Sequence, residues 1–139
     1  MSIRKTIAAS LFATMLAGGV LASGACVAQT ATRVFELRTY TTNDGKFNDL
    51  LNRFRDHTVR LFAKHDMVSI GYWIPKDQPN TLIYVLAHPS REAATQNWDA
   101  FRKNPEWVAA RTASEANGPI LAKPPVFVFM DPAAFSAIK

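Results

Sequence analysis

The stretch Val34-Phe35-Glu36-Leu37-Arg38-Thr39-Tyr40 places Phe35, Leu37 and Thr39 on one side of an extended chain and Val34, Glu36, Arg38 and Tyr40 on the other. A period of two with β-branched and aromatic residues marks a strand, because successive side chains of an extended backbone point to opposite faces. The more apolar side is expected to meet whatever helices cover the sheet. Glu36, Arg38 and Tyr40 are then expected to face away from those helices.

Asn43-Asp44-Gly45 breaks the strand, and beyond it Phe47, Leu50, Leu51, Phe54, Thr58, Leu61, Phe62 and His65 recur at steps of three and four. Those positions share one face of a long helix, with Asp49, Arg53, Asp56 and Arg60 expected outside it. From Met67 to Ile74 the period returns to two, with Val68, Ile70, Tyr72 and Ile74 opposed to Ser69, Gly71 and Trp73. A polar turn with two prolines, Pro75 to Asn80, joins this strand to a third, Thr81 to Ala87, as a hairpin. Ser90 is placed to cap a helix that buries Ala94, Trp98 and Phe101. Asn104-Pro105 interrupts that helix and restarts it, since proline suits a first helical turn. Asn117-Gly118-Pro119 ends the second piece, and Val126 to Met130 supplies a last strand.

Strand, helix, strand, strand, helix, strand is the split βαβ order of an α+β, ferredoxin-like fold (βαββαβ). It implies a four-stranded antiparallel sheet with both helices on one face. An antiparallel sheet with a wet face should alternate apolar and polar residues. The third strand instead opposes Leu82, Tyr84 and Leu86 to Ile83 and Val85, and the fourth opposes Val126 and Val128 to Phe127 and Phe129. A second copy of the same sheet would cover the bare face by two-fold symmetry, so a homodimer is expected.

The amino terminus has a different character. Arg4 and Lys5 precede an uncharged apolar run from Ile7 to Val20, followed by the small residues Ser23, Gly24 and Ala25. That is the order of a secretory signal peptide, and the run fades sooner than the roughly 20 apolar residues of a membrane span. Cys26-Val27-Ala28 puts small residues one and three places before a cut, giving a cleaved leader over 1–28 and one domain over 29–139. A cut after Ala25 competes with it and would leave Cys26 first, open to lipidation, although Ser23 stands where a lipobox needs leucine. Cys26 is the sole cysteine, so cleavage leaves a thiol-free domain in the periplasm or outside the cell, without a stable membrane anchor. The formal charge of +5 falls to about +3 without Arg4 and Lys5, with acids scattered among bases, which argues against nucleic acid as a partner.

Phe35 to Tyr40, Gly71-Tyr72-Trp73 and Asn104-Pro105-Glu106-Trp107 together resemble the NIPSNAP family, over residues 33–131. The family usually carries aspartate where this chain has Asn104, and both cap helices. The resemblance implies a dimeric α/β barrel in which two ferredoxin-like subunits close their sheets around a central space. Fold relatives span cofactor-free monooxygenases, haem-degrading enzymes and isomerases, so the resemblance implies no particular reaction.

In such a barrel, Glu36, Arg38 and Tyr40 would face an inter-sheet pocket, where an acid, a guanidinium and a phenol could bind a polar ligand or move a proton. The plainer alternative is an ion pair of Glu36 and Arg38 that fixes register. Trp73, with only Ser69 and Gly71 beside it, has room to stack on a planar ligand, and also to pack at an interface. His88 closes the third strand near the expected pocket mouth. His57 is expected on the solvated side of the first helix and His65 against that helix's last carbonyls. The spacing of the three histidines fits no zinc motif, and neither a nucleophile elbow nor a phosphate loop occurs, so no metal and no cofactor are expected. Three functions stay open: a small-molecule binder, a cofactor-independent monooxygenase or isomerase using the same pocket, and a non-catalytic interaction module.

Overall fold

The computed structural model describes residues 33–139, and the expected leader, its cleavage site and Cys26 lie outside them. β1 (Val34–Thr41) forms as its alternation requires and sits inside the sheet, flanked by β3 (Thr81–His88) and β4 (Val126–Met130). β2 (Val68–Trp73) pairs with the other edge of β3, giving the order β2-β3-β1-β4 with every pairing antiparallel. This is the four-stranded ferredoxin-like α+β fold.

The first helix is less regular than its periodicity suggests. α1 (Phe47–Arg53) passes into a π turn at Phe54–Thr58 and then into α2 (Val59–Lys64). The Val59 amide bonds back to the Phe54 carbonyl, and the Thr58 hydroxyl donates to the Arg53 carbonyl at 3.1 Å. Leu50, Phe54, Thr58, Leu61 and Phe62 are buried as expected, but so is Arg53, which the regular period places outside. α2 closes in a Schellman arrangement: the Met67 amide bonds to the Phe62 carbonyl at 3.0 Å and the Asp66 amide to that of Ala63 at 3.4 Å. Asp66 adopts φ 56°, a left-handed conformation that a short polar side chain tolerates.

The expected caps of the second helical stretch are present. The Ser90 hydroxyl accepts from the Ala93 amide at the start of α3 (Arg91–Lys103), and Asn104 Oδ1 accepts from the Glu106 and Trp107 amides at the start of α4 (Pro105–Ser114). With the Asn104 carboxamide oxygen so engaged, its nitrogen donates to His65 Nε2 at 3.0 Å. The His65 ring thus meets a side chain and not helix carbonyls.

The core lies between sheet and helices. Tyr84, fully buried, is its hub: Tyr72 and Phe62 stack on its ring, while Tyr40 and Phe54 meet it edge-on. Edge-to-face and offset pairs of this kind add about 0.5–1.5 kcal/mol each beyond burial. Burial also pushes the Tyr84 phenol well above its ordinary titration range. α4 packs against α1 and the π turn, which leaves the loop after α4 to pass over the end of β1 toward β4. There the Asn43 amide bonds to the Ile120 carbonyl and the Ala122 amide to that of Thr41, both at 2.9 Å.

The opposite face of the sheet is apolar and open. Trp73, Ile83, Thr39 and Val126 lie in one row across the four strands, and Gly71, Val85, Leu37 and Val128 in the next. Trp73, Val126 and Val128 are each more than half exposed.

Candidate functional site

Register decides which side of β1 meets the helices. Arg38 stands opposite Tyr84 on β3, and Glu36 opposite Leu86. Both partners are fully buried beneath the helices. Glu36, Arg38 and Tyr40 therefore face the helices, not the open face expected for them. The inversion has a chemical cause. A carboxylate can be buried when donors surround it, and Glu36, with no exposure, receives three: Arg38 Nε at 2.8 Å on Oε1, and Trp98 Nε1 at 2.6 Å and His88 Nε2 at 3.0 Å on Oε2. Two of those donors come from α3 and β3, and nothing in the local pattern of β1 reveals them.

Burial by itself would raise the Glu36 pKa. The hydrogen bonds from His88, Trp98 and Arg38, together with the Arg38 charge, outweigh it and hold the carboxyl below its ordinary range. An ionised carboxylate only accepts, so the proton between it and His88 resides on Nε2. His88 Nδ1 is buried without a hydrogen-bond partner among the described residues. His88 thus lies inside the sheet–helix layer, and the expected position at an inter-sheet mouth is corrected.

Arg38 is fixed from three directions. Its guanidinium carbon lies 3.7 Å from the centre of the Trp98 ring and 5.1 Å from that of Phe127, while Nε is held by Glu36. The two terminal nitrogens make no hydrogen bond to any described residue. They border a cavity of about 570 Å³ between the sheet, α3, α4 and the 119–125 loop. Trp98, Phe101, Trp107, Leu121 and the prolines of the loop form its apolar wall, and Tyr40 joins Arg38 on the sheet side. The remaining charged lining consists of Arg53, Arg102, Arg111, Lys123 and a single acid, Glu115. Glu115 is shared between Arg53 and Arg111, each at 3.2 Å, and Arg102 pairs with Asp99 at 2.5 Å. A cavity of this size, mostly apolar with a few convergent polar groups, has the form of a ligand site.

Of the five residues singled out from sequence, Glu36, Arg38 and His88 form one buried cluster, and Tyr40 lines the cavity that Arg38 borders. Trp73 stands apart on the open face, as its strand position suggested, with its ring folded over Gly71. Its neighbour Ser69 does not share that face. A bulge between Ser69 and Gly71 turns Ser69 toward Tyr72, and their hydroxyls lie 2.6 Å apart. His57 is half-buried within the π turn and not simply solvated. Nothing in the local sequence marks Trp98 as a hydrogen-bond donor or groups the arginines of α3 and α4, whose convergence needs the angle at Asn104. Arg53 is held inward by acceptors at the end of α4, the Ser114 hydroxyl at 3.1 Å and the Glu115 carboxylate at 3.2 Å. Among the described residues no cluster of His, Cys, Asp and Glu could hold a metal ion, and no helix is long and apolar enough to cross a membrane.

The sequence profile of the NIPSNAP family matches residues 35–137. The chain belongs to the NIPSNAP family. A NIPSNAP family protein of unknown function from Agrobacterium tumefaciens superposes with a TM-score of 0.67 at 19% identity, over 79% of this chain and 96% of that one. An uncharacterized NIPSNAP-like domain protein from Burkholderia xenovorans gives 0.66 at 16% identity, over 76% and 90%. A monooxygenase of Streptomyces coelicolor, solved with the ligand nanaomycin D, shares the fold at a TM-score of 0.56 and 18% identity, over 78% and 95%. No curated protein matches the sequence. At these identities the likeness establishes a fold common to NIPSNAP proteins and such monooxygenases, and leaves the chemistry to each site.

Proposed function

We propose that this NIPSNAP protein is an exported homodimer that binds a small organic molecule inside each subunit, in the cavity between the sheet and α3–α4. The observation that carries the reading is that cavity, about 570 Å³ in volume and walled by Trp98, Phe101 and Trp107, with the unpaired end of Arg38 on its floor. The open sheet face supports the dimer separately. Its rows of Val126, Val128, Ile83 and Trp73 are apolar and contiguous, a surface that a second copy would bury. Export is supported by the charge, apolar run and small-residue order of residues 1–28.

A catalytic reading draws support from Tyr40, whose phenol borders the same cavity as Arg38. A phenol beside a fixed cation can exchange a proton with a bound substrate, as a cofactor-independent monooxygenase or isomerase would require. Turnover of a retained ligand separates this reading from simple binding.

The test is native mass spectrometry of the protein purified from the periplasm, followed by titration with the neutral probe 2-naphthamide while indole fluorescence is recorded. A dimer of mature mass, a ligand lost on denaturation and saturable quenching of the indoles are expected. Absence of both a retained ligand and saturable quenching would remove the binding reading. A monomeric mass would remove the dimer.

A further inference from the structure

We infer that the occupant of this cavity is an organic carboxylate with an apolar body, bound through the two terminal nitrogens of Arg38. The inference rests on the cavity being the binding site and specifies what it selects.

A guanidinium presents its donors in a flat fork that matches the two oxygens of a carboxylate. Arg38 satisfies Nε on Glu36 and leaves both terminal nitrogens without a partner among the described residues, at the cavity floor. Its side chain is only 11% exposed. The rest of the side chain is packed away, so these nitrogens are free to meet an acceptor that enters the cavity, and the described lining supplies none that reaches them. The fork is also rigid. Glu36 sets the guanidinium plane through Nε, and Trp98 and Phe127 hold it by their rings. A ligand therefore need not immobilise a long flexible side chain when it binds, which lowers the entropic cost.

The wider lining favours the same sign of charge. Arg53, Arg102, Arg111 and Lys123 accompany Arg38, against one lining acid. Even with Glu36 and Asp99 set against their arginine partners, cations remain in excess. A tetrahedral phosphate, by contrast, is best held by free converging backbone amides at a helix start or a glycine-rich loop; the α4 start that Trp107 brings to the lining has its Glu106 and Trp107 amides on Asn104 Oδ1, and the lining contains no glycine. The apolar wall of Trp98, Phe101, Trp107 and Leu121 then meets the body of the acid rather than water.

The experiment compares 2-naphthoate with 2-naphthamide, the same ring system with and without the charge, and with 2-naphthalenesulfonate, by calorimetry and indole quenching at fixed ionic strength. In the natural protein naphthoate is expected to bind at least about tenfold more tightly than naphthamide, as suits hydrogen bonds to a charged group, and more tightly than the sulfonate. Arg38→Gln is expected to erase the preference over naphthamide while naphthamide binding persists. Arg38→Lys, which keeps the charge but loses the fork, serves if the glutamine variant does not fold, and is expected to lose most of it. If naphthamide binds and naphthoate binds no better, or the sulfonate binds more tightly, the carboxylate inference fails and the cavity reading stands. If no probe binds, both fail.

Discussion

Replacing Glu36 with glutamine preserves the size of the side chain and removes the charge on which three donors converge. The amide oxygen can still accept from Trp98 and His88. The amide nitrogen then faces the Nε–H of Arg38, donor against donor, and leaves a guanidinium only 11% exposed without its counter-ion. Removing one partner of a buried pair costs about 3–5 kcal/mol, and a hydrogen bond to a charged group contributes about 1.5–3 kcal/mol. Because two of the three bonds on Glu36 survive, a loss of about 3 kcal/mol is expected. For a domain of roughly 100 residues each kcal/mol lowers the melting temperature by about 4–8 °C, so the variant should melt roughly 12–24 °C below the natural protein. Thermal and urea unfolding followed by indole fluorescence measure this at one fixed protein concentration, since the proposed dimer would make apparent stability concentration-dependent. Arg38→Met leaves Glu36 bonded to Trp98 and His88 but strips a fully buried carboxylate of its guanidinium, and should cost about as much. The double variant should fall short of the sum of the two, by about 1 kcal/mol or more, because both changes break the same contact. A melting temperature for Glu36→Gln within about 3 °C of the natural protein would refute the claim that this cluster holds the sheet to α3.

The same carboxylate predicts an acid limb. Its pKa is lower in the folded chain than its ordinary value of 4.5, so the stability it contributes is complete above about pH 4.5 and drains away as pH falls through the folded value. Urea midpoints between pH 7 and 3 should show that decline in the natural protein and a shallower one in Glu36→Gln. Asn104→Ala removes the acceptor for the Glu106 and Trp107 amides and should cost about 1 kcal/mol in urea unfolding, whereas Asn104→Asp keeps an N-cap oxygen, can accept from His65 Nε2 in the ring's other tautomer, and should stay within about 0.5 kcal/mol. Val128→Glu, on the open sheet face, should convert the proposed dimer to a monomer in sedimentation velocity while leaving subunit stability within about 0.5 kcal/mol. An unchanged dimer mass would place the interface elsewhere.

The element order was legible because each element announces itself locally. The two-residue alternation of Val34 to Tyr40, the cap at Ser90 and the restart at Asn104-Pro105 all concern neighbours in the chain, and all are found in the structure. The apolar character of both sheet faces was legible too, from Ile83 and Val85 against Tyr84 and Leu86. Less could be read of the candidate site. The chemistry of Arg38 and Tyr40 is plain in the sequence, but their cavity is walled by Trp98 and Trp107 from separate helices and by a loop more than eighty residues away along the chain from Arg38.

The sequence by itself determined that Glu36, Arg38 and Tyr40 share one side of a strand, because an extended backbone alternates its side chains whatever surrounds it. Only the tertiary structure decided which side that is. A polar row facing inward costs energy unless remote donors satisfy it. Those donors, the Trp98 indole and the His88 ring, lie 62 and 52 positions from Glu36 in the chain. Local periodicity records the preference of a side chain for water and has no access to a partner that distant. Arg53 turns inward for the same reason: its acceptors, the Ser114 hydroxyl and the Glu115 carboxylate, lie 61 and 62 positions along the chain.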